Sequence, residues 1–294
     1  MQPVRSMLFT PGNRPDMLAK AVQSGTDAVI VDLEDSVSVD QKPVARDNLA
    51  QLPESPVPYY VRTNAVETGL LWEDVVAAGN SPAVGVIIPK AEDPKVLSEV
   101  DGALTALEMT AGKTIGSITV IPLLESALGV RLTYEMATVS DRVECVMFGG
   151  GEQGDLVADL GVVWTPEGTG LMQARSQVLL SARAAGVPYP MEAVFMDFRN
   201  PDGLRVECEL ARTLGYIGKV AIHPAQIEVI NDVFTPAPDE VEYHRKVLTA
   251  FEEAEAEGKA SIAVDGKMVD YAVARVARAV LARAEAASRA GKEG

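Results

Sequence analysis

Residues 146–161 read VMFGGGEQGDLVADLG. An apolar run leads into three consecutive glycines, followed by Glu152, Asp155 and a stretch of helical character. This is the pattern of a buried strand, a loop without side chains, and carboxylates hung at the strand's end. Glycines in such a loop let a ligand approach backbone N–H groups closely. Residues 119–126, TVIPLLES, repeat the logic, with Glu125 closing an apolar run. Two buried strands that each finish in an acid point to a divalent cation between them.

The same alternation runs outward from this pair in both directions. Strands are expected at 6–10, 27–33, 57–62, 85–88, 118–124, 144–148, 190–194 and 219–222. Helical spacing separates them at 15–24, 42–52, 71–78, 94–109, 129–138, 172–185 and 203–214. Continuous apolar strands between amphipathic helices indicate a parallel sheet buried on both faces. Eight such units predict an α/β fold, a (β/α)8 TIM barrel. A doubly wound sheet would show fewer and less regular alternations. Beyond the eighth strand come a charged helix at 239–257, a Gly/Ala/Ser break at 258–267 and an Ala/Arg-rich helix at 269–289. The expected division is a barrel over 1–235 and a C-terminal helical extension over 236–294. The extension is long enough to cover the barrel mouth or reach a neighbouring subunit.

A formal net charge of −16 disfavours nucleic acid and anionic membrane surfaces as partners. An anionic substrate therefore needs a local arginine or a metal. No membrane-spanning run or signal segment is apparent at the N-terminus. Cys145 and Cys208 are the only cysteines and have no metal-ligand spacing, so a reducing cytoplasmic setting is expected. With only His223 and His244, a three-histidine zinc site is excluded. Oxygen ligands then favour Mg²⁺, with Mn²⁺ as the alternative.

Functional groups of a TIM barrel gather at the C-terminal ends of its strands. Here those ends carry Glu34 and Asp35, Arg62, Lys90, Glu125, and Glu152 with Asp155. Glu125 and Asp155 follow neighbouring strands, which lie about 4.8 Å apart, and can converge on one cation. The competing reading is that Asp155 caps the following helix. Arg62 is either an anion clamp facing the metal or a structural ion pair with Glu34 or Asp35. Strand alternation would place Asp32 and Glu34 on one face and Asp35 on the other.

Gly149, Gly151 and Gly154 match a dinucleotide fingerprint, but Glu152 and Asp155 would repel a pyrophosphate, and no strand with an acid follows. Residues 111–114, AGKT, resemble the end of a P-loop without its first glycine. His223 at the eighth strand's end is read as structural or ligand-contacting. Ser126, Thr63 and Cys145 have no base beside them, so nucleophilic catalysis is not supported.

The motifs RSMLFTPGNRPDM, VIVDLEDSV, YYVRTN, VIIPK, IPLLESALGV, FGGGEQGDLVADLG and VAIHPAQI together resemble the citrate lyase beta-subunit-like family. That family includes malyl-CoA and citramalyl-CoA lyases and is related to the HpcH/HpaI aldolases. The resemblance runs from Arg5 to about residue 270. It implies a (β/α)8 barrel, a Mg²⁺ site and a homotrimer or hexamer. It also implies Glu125 and Asp155 as metal ligands and Arg62 as the substrate-contacting arginine. The resemblance further implies Asp270, in the 265–270 stretch DGKMVD, as the catalytic aspartate that would reach a neighbouring subunit's site. The chain departs from the family where Gly154 replaces the acid that often precedes the metal aspartate.

The resemblance implies a lyase that splits a 3-hydroxyacyl thioester such as malyl-CoA or citramalyl-CoA into a 2-oxo acid and an acyl-CoA. Gly150 and Gly151, with Glu125 and Arg62, would contact the substrate, and Glu34 and Asp35 would stand behind them. Arg14, Lys42 and Arg46 are candidate phosphate contacts for the coenzyme. The alternatives are a citrate lyase beta subunit acting on a citryl group carried by an acyl carrier protein, and a barrel that binds CoA esters without turnover.

Overall fold

In the segment AVIVD (Ala28–Asp32), all five residues are buried. A run that apolar can only be accommodated where both faces of a strand are covered. In this computed structural model, which describes residues 3–293, eight such strands form a closed parallel barrel in the order β1 to β8. They are β1 (Ser6–Pro11), β2 (Ala28–Asp32), β3 (Tyr59–Arg62), β4 (Gly85–Ile88), β5 (Thr119–Leu124), β6 (Met147–Phe148), β7 (Met191–Glu192) and β8 (Gly218–Ala221). β8 returns to β1 with Met7 opposite Val220.

The helices between them are α1 (Pro15–Ala21), α2 (Lys42–Asn48), α3 (Leu71–Gly79), α4 (Pro94–Ala111), α5 (Ala127–Arg131), α6 (Thr133–Thr138), α7 (Asp155–Leu160), α8 (Met172–Ala184) and α9 (Pro201–Leu214). Their starts are chemically marked. Asp93 and Ser126 accept the N–H groups of Lys95 and Gly129, and Asn200 accepts that of Gly203. The single helix expected over 129–138 is two short helices that meet at Leu132.

Side-chain alternation divides the apolar residues into two layers. Met7, Ile30, Tyr60, Ile87, Ile121, Met147 and Val220 fill the barrel interior. Leu8, Val29, Val31, Val61, Val86, Val120 and Phe148 face the helices. Strands six and seven are shorter than expected. Only Met191 of β7 pairs with β6, opposite Met147, although the flanking residues are also buried.

After α10 (Ile227–Phe234) the chain continues as α11 (Pro238–Ala256), β9 (Ile262–Val264), β10 (Lys267–Val269) and α12 (Tyr271–Glu293). α11, α12 and the β9–β10 hairpin share a separate apolar cluster built on Val247, Phe251, Val264, Val269, Ala274 and Ala277. The hairpin corrects the expectation of a plain break at 258–267. Its turn is Asp265-Gly266, with φ of 48° and 76°. An Asp-Gly pair is the local signal for such a turn. Among the described residues no helix is long and apolar enough to cross a membrane. Both cysteines are buried and free.

Candidate active site

Leu124 and Phe148 are paired at the ends of β5 and β6, so Glu125 and Gly149 emerge side by side at the barrel mouth. The Gly149 N–H donates to the Leu124 carbonyl at 2.9 Å. A side chain at 149 would collide with the Glu125 side chain and the Leu124 carbonyl, so glycine is what lets Glu125 lie across the strand end. The result is a cavity of about 240 Å³ lined by Phe9, Arg62, Glu125, Gly151, Glu152 and Asp155, among others. Of the two glycines expected at the ligand, Gly151 lines this cavity. Gly150 does not, and a side chain there would strike the Phe148 ring instead.

Asp32 and Arg62 are partners in register at the ends of β2 and β3. The Arg62 Nε and Nη2 donate to the two Asp32 oxygens at 2.7 Å each. Its Nη1 lies 3.0 Å from Glu34 and 3.6 Å from Asp35, and its guanidinium sits over the Phe9 ring at 4.5 Å. The ion pairs of Arg62 with Glu34 and Asp35 weighed from the sequence are thus present, and the bidentate partner, Asp32, is an addition to them. Strand alternation also fails past Asp32, because the strand ends there. The Asp32 carboxylate accepts the N–H groups of Glu34 and Ser36, which folds Glu34 and Asp35 back over the arginine.

These contacts set the ionisation of the group. Burial opposes the Asp32 charge, but the Arg62 cation holds its pKa below the ordinary value. Burial likewise opposes the Arg62 charge, and Asp32 outweighs it. Glu34 fares differently. Burial pushes its pKa up to about 8, the Arg62 charge offsets this only in part, and its buried Oε2, although 3.0 Å from Arg62 Nη1, is not aligned for a hydrogen bond.

Lys90, a strand-end charge with no role assigned to it above, stands at the centre of the acids. Its backbone adopts the left-handed region with φ of 49°, rare for a side-chain-bearing residue. That conformation turns its N–H onto the Glu125 Oε2 at 3.2 Å, while its Nζ lies 3.1 Å from Asp155 and 3.9 Å from Glu34. The charge after a strand, in VIIPK, was the only signal in the sequence. Burial raises the Glu125 pKa to about 7, opposed by Arg62 and reinforced by the Asp155 charge. Two cations, Arg62 and Lys90, thus face five carboxylates: Asp32, Glu34, Asp35, Glu125 and Asp155.

That surplus of acid fits a divalent cation. Among the described residues no three His, Cys, Asp or Glu side chains form a ready-made metal cluster. Glu125 and Asp155, brought together at one cavity, supply one or two hard oxygen donors each. Mg²⁺ is commonly held by one or two carboxylates and completes its shell with water and substrate oxygens.

Other expected residues are placed elsewhere. Asp270 is not among the residues lining the cavity of its own chain. Its Oδ1 accepts the N–H groups of Ala272 and Val273 at the start of α12. Lys42 is buried, donating to the carbonyls of Leu33 and Glu34 and to Asn64, so it does not reach outward for a phosphate. Arg46 is paired with Asp74 and Glu73, and Arg14 with Asp16. His223 has a structural job: its Nδ1 accepts the Ala225 N–H, and its ring stacks on Phe198.

A closed (β/α)8 barrel with carboxylates and an anchored arginine at its C-terminal mouth defines a class of metal-assisted barrel enzymes. Comparison with known proteins narrows the class. The sequence model of the family described as HpcH/HpaI aldolase/citrate lyase matches residues 5–224, and the chain belongs to that family. It is 32% identical to the citrate lyase subunit beta of Leuconostoc mesenteroides subsp. cremoris, over 99% of this chain and 96% of that protein. It is 35% identical to the (3S)-malyl-CoA thioesterase of Cereibacter sphaeroides, over 98% of this chain and 97% of that protein. Its structure is similar to that of the protein CitE of Mycobacterium tuberculosis in complex with magnesium, acetoacetate and coenzyme A. There the TM-score is 0.74 at 32% identity, with 96% of this chain and 98% of that chain covered.

Proposed function

We propose that this chain is a Mg²⁺-dependent carbon–carbon lyase that cleaves a 3-hydroxyacyl thioester of the malyl-CoA or citramalyl-CoA kind into a 2-oxo acid and an acyl-CoA. The observation that carries this reading is the pairing of Glu125 with Asp155 inside an acid surplus, beside an anchored arginine. The complexes of the CitE relative with magnesium and coenzyme A support it. Glu125 and Asp155 would hold the Mg²⁺ (or Mn²⁺), which when bound supplies Lewis-acid stabilisation to oxygens of the departing 2-oxo acid.

Arg62 is held rigid by Asp32, leaving Nη1 for the thioester oxygen as enolate charge develops there. Glu34 and Asp35 keep that nitrogen in place. The Gly149 and Gly154 N–H groups are committed to the Leu124 and Gly151 carbonyls. The loop between them is therefore what offers N–H groups to a substrate carboxylate. In cleavage the hydroxyl proton leaves, the C–C bond breaks, and the enolate carbon takes up a proton. Asp270 of a neighbouring subunit would serve as that general acid/base. The barrel, 1–235, would then be the catalytic unit, and the extension, 236–294, would complete a neighbour's site in a cytoplasmic homotrimer or hexamer.

The identity to a malyl-CoA thioesterase favours a second reading, hydrolysis of the thioester. One experiment separates them. Malyl-CoA and citramalyl-CoA are incubated with enzyme in Mg²⁺ or EDTA, and 2-oxo acid and free thiol are followed separately. Metal-dependent 2-oxo acid without free thiol is the expected result. Free thiol without 2-oxo acid would replace the lyase with a thioesterase. Turnover only of carrier-protein-bound citryl would make the chain a citrate lyase beta subunit, and binding without either product a non-catalytic barrel.

A further inference from the structure

The opposite end of the barrel carries a second cleft that the lyase reading does not use. It is larger than the catalytic cavity, about 800 Å³, and opens where Pro188 and Tyr189 lead into β7, Gly215 and Ile217 lead into β8, and α12 crosses beside them. Four arginines line it: Arg183, Arg212, Arg283 and Arg289. In a chain of net charge −16 such a concentration of cations is unexpected.

Their partners do not neutralise them. Arg183 donates to three backbone carbonyls, those of Val187, Pro188 and Gly215, and to no carboxylate among the described residues. Arg212 pairs with Glu240 at 2.6 Å and Arg289 with Glu285 at 2.6 Å. The half-buried Arg283 has an Nε that is enclosed by protein and makes no hydrogen bond. Enclosure by protein and then the Arg283 charge pull the Arg183 pKa below its ordinary value. For Arg283, enclosure dominates, Glu240 opposes it, and Arg212 adds to it. Among the described residues, four cations thus meet two acids, a local excess of two positive charges. A wall of Ile217, Val276 and Ala279 lies alongside.

We propose that this cleft binds a multiply charged phosphate, a small phosphate ester or anhydride whose charged end lies among Arg183, Arg212, Arg283 and Arg289. Planar guanidinium groups match phosphate oxygens in bidentate fashion, and an excess of two positive charges suits a phosphate dianion. The apolar wall would receive the organic part of such an ester. The site lies at the end of the barrel remote from Glu125, so its ligand is not the thioester substrate held for cleavage.

The test titrates the full-length protein calorimetrically with inorganic pyrophosphate in EDTA at fixed ionic strength. One saturable site per chain is expected. Its affinity should fall at least about tenfold in Arg283→Met, the range for losing a hydrogen bond to a charged group. It should fall in Arg289→Gln as well, and hold in Glu125→Gln, which alters only the other end of the barrel. Pyrophosphate should also raise the melting temperature of the wild-type protein more than that of either arginine variant. Absence of saturable binding would overturn the proposal, as would binding of equal strength in the arginine variants. Arg289 is exposed, so Arg289→Gln decides the matter if Arg283→Met fails to fold.

Discussion

Two of the buried charge groups in this barrel differ in balance. Behind β7 and β8, Arg175 of α8 and Glu207 of α9 meet Glu192 and Lys219, all nearly inaccessible to water. Arg175 lies 3.1 Å from Glu192, and Lys219 donates to Glu207 at 2.7 Å. Two cations face two anions, and Arg175 also lies over the Phe148 ring at 5.5 Å. At the mouth, Arg62 and Lys90 face five carboxylates, and the cavity is open. Where charge cancels internally the ions hold helices to strands. Where it does not cancel, the remainder is available to a ligand.

The balanced cluster should break hardest. Lys219→Met removes one partner and leaves Glu207 and Glu192 sharing Arg175 in a dry layer, at a cost of about 3–5 kcal/mol. Urea denaturation checks this, and the loss of activity should track only the loss of folded protein. A loss below about 1 kcal/mol would mean that water reaches the cluster and that it is not the closed element described above.

The mouth should answer in the opposite sense. Glu125→Gln removes one member of the acid surplus, so it should leave the metal-free protein as stable as wild type or more so. Activity should still fall by at least about a hundredfold, since loss of a ligand exceeds the usual effect of losing a group behind one. Such a trade of stability against function is expected where a site holds unbalanced charge. Asp155→Asn should behave alike. A variant that loses stability and keeps turnover would reverse the comparison and remove both acids from the metal site.

The same contrast explains what could be read in the sequence. Period-two and continuous apolar runs located all eight strands, and β4 was expected at the residues where it lies, because burial on both faces leaves an unambiguous pattern. The strand-end acids were legible because charge directly after an apolar run is rare. The Arg62–Asp32 pairing was not read, although both residues end neighbouring strands. Period-two alternation ignores the turn that Asp32 itself builds. Lys90 needed its backbone angle, which depends on the surrounding packing. Arg175 and Glu207 look like the solvated face of a helix until the layer that covers them is known. The hairpin at 262–269 was announced by Asp265-Gly266 and obscured by the Gly/Ala/Ser composition around it.

The smallest effect is a slope with pH. Burial raises the Glu34 pKa from the ordinary 4.5 to about 8, and Glu125 to about 7. Between the unfolded and folded values the native state binds more protons than the unfolded chain. Stability must therefore fall as pH rises through that window. The largest slope from Glu34 alone is about 1.4 kcal/mol per pH unit, one proton's worth. Denaturation of the metal-free protein at pH 6, 7 and 8 should show the decline. Glu34→Gln, which cannot ionise, should reduce it and leave the part that belongs to Glu125 and to Glu192, whose pKa burial also raises. Added Mg²⁺ should offset the decline as well, because a cation at Glu125 and Asp155 favours the charged carboxylates that burial opposes. A slope as steep in Glu34→Gln and in Glu125→Gln as in the wild type would place the proton uptake elsewhere in the fold and would end the claim that the mouth is the unbalanced region.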